Sequence, residues 1–95
     1  MDIILSEIQI VPVKPYNGLL AFCTFVVNNS FFCGDIAIYS RLDGTGYRLA
    51  YPSKTLANGS RFQIFHPINK QSAQAIEKQV IDKYLELMQG ENING

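Results

Sequence analysis

Ninety-five residues with 47% hydrophobic content make one domain with a real core and exclude a disordered chain. Eight Lys and Arg stand against eight Asp and Glu, a formal net charge of zero that argues against a surface given over to phosphate and against an acidic tail. No apolar run approaches the ~20 residues that span a bilayer, and two cysteines without an export signal point to the reducing cytoplasm.

Residues 3–13 are rich in Ile and Val, and Ile8 and Ile10 alternate with Glu7 and Gln9 as in a half-buried strand. Pro12 and Pro15 confine that strand to an edge or an end of the sheet, because proline cannot donate to the ladder. After an Asn17-Gly18 turn, residues 19–27 and 31–39 are almost wholly apolar, and Asn28-Asn29-Ser30 between them predicts a hairpin. Strands apolar on both sides must be covered on both faces. Asp43-Gly44-Thr45-Gly46 breaks the chain before a short strand over 47–51, and Asn58-Gly59 precedes another over 61–66.

The period then changes. Ile76, Val80, Tyr84 and Leu87 follow helical spacing, with Ile81, Leu85 and Met88 widening the stripe. Asn69 or Ser72 caps the start and Gly90 supplies the stop, which leaves residues 91–95 as a flexible tail. The expected fold is α+β: a small antiparallel sheet of about five strands followed by a C-terminal α-helix, in a single domain over residues 1–90. One helix covers one face of such a sheet. The other would leave Phe, Val and Tyr side chains in water, where burial is worth roughly 25 cal/mol per Å², so a homodimer is expected.

Residues suited to catalysis are sparse. His66 is the single histidine, and the cysteines lie far upstream without ligand spacing, so neither a metal site nor a cofactor is expected. His66 is expected at a strand end, held extended by Pro67. Cys23 and Cys33 flank the hairpin turn symmetrically and are expected to face each other, as a disulfide, a redox pair or two buried thiols. Apolar neighbours without nearby bases favour buried thiols. Ser53 lacks a nucleophile elbow, the glycines at 44, 46 and 59 fit turns, and Asp35 suits a strand backbone. Glu77, Asp82 and Glu86 interleave with Lys78 and Lys83 as a solvated face. Neither an enzyme nor a small-molecule substrate is expected.

Tyr51-Pro52-Ser53-Lys54, Asn58-Gly59 and His66-Pro67-Ile68-Asn69 together resemble the stage V sporulation protein G (SpoVG) family. Its members carry a Pro-Ser-basic-basic-Thr segment, an Asp-Gly turn and a His-Pro-Ile segment before the final helix, and the spacing matches without gaps. Asp35-Ile36 and the run Val80 to Tyr84 fit the third strand and the helix core of the family, so the similarity covers roughly residues 7–85. The resemblance implies a homodimeric bacterial cytosolic protein linked to sporulation, septation and gene regulation. It also implies DNA or RNA binding through basic residues near the Pro-Ser segment and the helix start, which here are Lys54, Arg61 and Lys70. The chain departs from the pattern at those places. Thr55 and Leu56 replace a basic residue and a Thr, Ala37, Ala73 and Ala75 stand at basic positions, and the aromatic-basic pair is reversed as Arg61-Phe62. Two readings follow. One is a dimeric regulator that binds DNA or RNA weakly and with strong salt dependence; the other is a protein-interaction dimer that has lost nucleic-acid affinity.

Overall fold

A computed structural model describes residues 2–93, with side chains to Gln89. Four strands, β1 (Leu5–Tyr16), β2 (Leu19–Val27), β3 (Phe31–Ser40) and β4 (Tyr47–Ala50), form one antiparallel sheet in the order β1-β2-β3-β4. A separate two-stranded sheet, β5 (Ser53–Thr55) and β6 (Arg61–Gln63), precedes the single helix, α1 (Lys70–Ile93).

Local turn chemistry builds the large sheet. Asn17 and Gly18 (φ 52° and 88°) and Asn28 and Asn29 (φ 49° and 54°) place both central residues of each turn in the left-handed region. That backbone matches the right-handed twist of flanking strands, and Asn and Gly tolerate it best. Ser30 N donates to the Val27 carbonyl at 2.9 Å to close the second turn. The same turn holds the start of the sheet, since Ile4 N donates to Asn28 Oδ1 at 2.7 Å.

Strand alternation then sorts the faces. Ala21, Cys23 and Phe25 of β2, with Ile36 and Ile38 of β3, point to the buried side. They meet Ile76, Val80 and Tyr84 of α1, and Tyr84 packs edge-on to Tyr47 with ring centroids 5.6 Å apart. Gln79 ties the helix to the first strand: its Oε1 accepts from Leu5 N and its Nε2 donates to the Ile3 carbonyl, both at 2.9 Å. Asn69, rather than Ser72, is the helix cap, its Oδ1 accepting from Ser72 N at 2.8 Å.

The α+β class and the antiparallel sheet agree with the sequence, and the first strand is an edge strand as its prolines require. Several details differ. There are six strands rather than five, because Ser53-Lys54-Thr55 pairs with β6 although it has no apolar alternation. The last strand ends at Gln63, so His66 lies in the irregular connection to the helix. The helix runs through Gly90 to Ile93; one glycine costs a helix only about 1 kcal/mol. Of the tail expected over 91–95, residues 94–95 lie outside the described residues. Leu87 is 39% exposed, so the apolar stripe continues past Tyr84 through Met88 rather than Leu87.

The cysteines do not face each other. Cys23 pairs with Ile36 and Cys33 with Phe25. A β-bulge sets two residues of β3, Gly34 and Asp35, against Thr24, and Asp35 adopts φ 62° to make it. The opposite flank repeats the device. Glu7 and Ile8 of β1 fall between the pairs Ser6↔Val26 and Gln9↔Thr24, with Glu7 at φ 50°.

The other face of the sheet carries Val11, Phe22, Ala37 and Ala50 in one cross-strand row, with Thr24, Val26 and Phe32 beside it. Phe32 is 73% exposed and Val11 63%. The helix lies on the opposite face.

Candidate nucleic-acid interface

Beyond β4 the chain leaves the main sheet. Pro52 has no N–H to offer a ladder, and the chain folds back through residues 56–60 to pair β5 with β6. Asn58 Oδ1 accepts from both Ser60 N (2.9 Å) and Ser60 Oγ (2.7 Å), and Gly59 takes φ 89°. Among the described residues the small hairpin packs against no other strand or helix; an edge-on contact of Tyr51 with Phe65, centroids 6.0 Å apart, steadies its base. The molecule is accordingly elongated. Its radius of gyration is 14.3 Å, against about 12 Å for a compact chain of this length.

The zero net charge is unevenly spread. Residues 44–76 contain Arg48, Lys54, Arg61 and Lys70 and no Asp or Glu, a local charge of +4 balanced by −4 in the rest of the chain. Ion pairing deepens the segregation. Arg41 pairs with Glu77 at 3.5 Å, Lys78 with Asp82 at 2.8 Å and Lys83 with Glu86 at 3.8 Å. Among the described residues, none of Arg48, Lys54, Arg61 and Lys70 meets a carboxylate. The acids lie outside residues 44–76: Glu7 on β1, Asp35 on β3, and the rest on the helix or in loops.

The three site residues named from sequence fall on different elements. Lys54 of β5 lies directly opposite Phe62 of β6, and Arg61 lies opposite Thr55. Alternation therefore puts Lys54 and Phe62 on one face of the hairpin and Arg61 on the other. Arg61 Nε donates to Ser53 Oγ at 3.0 Å, which fixes the guanidinium and leaves its terminal N–H groups available. Lys70 stands on a separate element, as the first residue of α1.

Arg48 is a further candidate that the sequence reading did not name. It sits on β4 opposite Tyr39 of β3, and its guanidinium lies 4.5 Å above the Tyr39 ring centroid. A groove of about 400 Å³ separates β4 from the hairpin and brings Arg48 and Arg61 together with Tyr51, Ser53, Phe62 and Gln63. The available signal was the absence of acids from 44 to 76.

The groups weighed for chemistry are dispersed. Burial pushes the Cys23 thiol up to about 12, and burial also raises Cys33; both are free. His66 is exposed, its Nδ1 2.9 Å from the Pro67 carbonyl oxygen. Among the described residues no three His, Cys, Asp or Glu side chains gather as a metal would require, and no helix is long and apolar enough to cross a membrane.

A four-stranded antiparallel sheet, roofed on one side by a C-terminal helix and carrying an acid-free basic hairpin, defines a small α+β sheet-and-arm class. The chain belongs to the SpoVG family, whose model matches residues 1–86. A protein of Clostridium novyi (strain NT) bearing the name septation protein SpoVG is 28% identical over 91 residues, covering 95% of this chain and 87% of the relative. A protein of the same name from Treponema denticola is 26% identical over 80 residues, covering 84% of each chain.

Proposed function

We propose that this protein is a non-catalytic, cytoplasmic regulator with a role in septation or sporulation, acting as a homodimer that binds nucleic acid through its basic arm. The observation that carries the binding is the acid-free stretch 44–76, whose four cations have no carboxylate partner among the described residues. Backbone phosphates are the ligand such a surface serves, since neutralising each one releases counterions. The names of the two relatives support the process.

Lys54, Arg61 and Lys70, with Arg48 beside them, are the contacts. Few phosphates can be reached, so duplex binding is weak, largely independent of sequence and strongly salt-dependent. Each phosphate neutralised contributes a slope of about −0.9 in log K against log salt. A fluorescence-anisotropy titration across a salt series tests this. Changing Lys54, Arg61 and Lys70 together to Ala is expected to flatten the slope while the dimer persists. Tight, sequence-selective binding that survives the triple substitution would place the site elsewhere.

The alternative, a dimer that engages other proteins and has lost nucleic-acid affinity, draws on the zero net charge and on Ala37, Thr55, Ala73 and Ala75 at positions where the family pattern is basic. Absence of binding at low salt in the same titration selects it.

A further inference from the structure

We propose that the outer face of the β5–β6 hairpin is a membrane-surface contact, in which Leu56, Phe62 and Ile64 enter the interface of an anionic bilayer and Lys54 meets its headgroups. The partner is one negatively charged lipid leaflet, touched and not crossed; among the described residues no helix is long and apolar enough to cross one.

The face follows from register. Lys54 pairs with Phe62. The ladder runs on past the paired strands, where Leu56 N donates to the Ser60 carbonyl and Ile64 N to the Pro52 carbonyl, each at 2.8 Å. Alternation sets Lys54, Leu56, Phe62 and Ile64 on one side and Ser53, Thr55, Arg61 and Gln63 on the other. The bond from Arg61 Nε to Ser53 Oγ lies on that second side. Ser53, Arg61 and Gln63 line the groove towards β4, so the polar side is turned to the protein and the apolar side to water. A half-solvated antiparallel pair ordinarily does the reverse. Leu56 is 42%, Phe62 48% and Ile64 59% exposed, and Ile68 carries exposed apolar surface on towards the helix.

Charge decides what covers this face. It sits within residues 44–76, which hold four cations and no carboxylate. A second copy docked face to face sets each patch against itself, so like charge opposes it. Phosphate alone answers the cations and leaves Leu56 and Ile64 in water. An anionic bilayer answers both, since its surface potential draws Lys and Arg and its interface takes up apolar side chains without a pocket for each. Lys54 lays its stem beside the inserted groups and keeps its ammonium at the headgroups. The hairpin is free to approach, because among the described residues it packs on no other strand or helix.

The test is sedimentation of the full chain with vesicles at low salt. One set is phosphatidylcholine alone, and the other is three parts phosphatidylcholine to one part phosphatidylglycerol. The chain is expected to pellet with the anionic set, to stay in solution with the neutral set, and to release as salt rises. Leu56→Ser with Ile64→Ser should weaken the anionic partition by about tenfold or more, because apolar burial is lost. Dimer mass and nucleic-acid anisotropy should not change in that variant. The chain has no tryptophan, so Phe62→Trp makes a single reporter. Its emission should shift to the blue on anionic vesicles and not on neutral ones.

An unchanged partition of the double serine variant, or an unshifted Phe62→Trp emission on bound protein, means adsorption by charge alone and overturns the inserted face. If the double serine variant dissociates the dimer, the face belongs to the subunit interface and the proposal is equally overturned. A chain that ignores anionic vesicles yet binds nucleic acid overturns the membrane contact and leaves the function proposed above standing.

Discussion

Cys23 shows how burial converts a reactive side chain into packing. It is 2% exposed, and desolvation raises its thiol to about 12; Tyr51 is raised to about 12 as well, chiefly by burial. Both pKa values in the folded state exceed those of the unfolded chain. The folded state therefore holds more protons above the unfolded values, and stability declines as pH rises from about 9 towards 12. Below about pH 8 neither group contributes a slope. Chemical denaturation at stepped alkaline pH checks this, with Cys23→Ala reducing the alkaline loss. At neutral pH a thiol reagent is expected to modify Cys33 well before Cys23. A Cys23→Ala, Cys33→Ala double variant should fold and dimerise with a modest loss of stability. Gln79 has the opposite character, a polar side chain whose value lies in its two backbone partners, Leu5 at the start of β1 and Ile3 just before it. Gln79→Ala is expected to cost about 1–3 kcal/mol, the penalty for orphaning partly buried polar groups, measurable as a shift in the urea midpoint.

The elements divide into those with a pattern of their own and those defined by the chain around them. β2, β3 and their turn were legible because apolar runs bounded by Asn-Gly and Asn-Asn leave little choice of structure. The core of α1 at Ile76, Val80 and Tyr84 was legible from its spacing. β5 was not, since Ser53-Lys54-Thr55 has neither alternation nor bulk, and pairing with β6 is what makes it a strand. The cysteine register failed for a different reason: the turn centres on Asn29, so the ladder that starts at Val27↔Phe31 sets Cys33 opposite Phe25, two residues from Cys23, before the bulge at Gly34-Asp35 is reached. The site was half legible. Lys54 and Arg61 became candidates through motif resemblance, whereas Arg48 became one only when β4 was seen beside the hairpin. Among the described residues that hairpin packs on no other strand or helix. Its amides are expected to exchange hydrogen orders of magnitude faster than those of β2 and β3, which share the buried core.

For the molecule as a whole, the uncovered face is the expected seat of self-association. Helix α1 shields one side of the sheet, and Val11, Phe22 and Phe32 remain in water on the other. The free edge of β1 is a poor place for another strand, because Pro12, Pro15 and the Glu7 bulge interrupt it. Association through the face is therefore favoured over extension at that edge. Light scattering coupled to gel filtration should give a dimer at micromolar concentration. Phe22→Asp with Phe32→Asp should yield a folded monomer, since both rings are exposed within one chain. A monomeric parent protein would overturn the dimer.

The acid-free arm also gives a molecule with no net charge an electric dipole. With +4 between residues 44 and 76 and −4 elsewhere, rotation in an approaching polyanion's field is not random: the arm turns inward and the carboxylate-bearing loops and helix turn away. Orientation during encounter raises productive collisions without any increase in overall charge. The same asymmetry makes the protein ambivalent towards charged supports. At pH 7 and low ionic strength it should be retarded on both cation- and anion-exchange columns, although its isoelectric point of about 6.5 predicts little affinity for either.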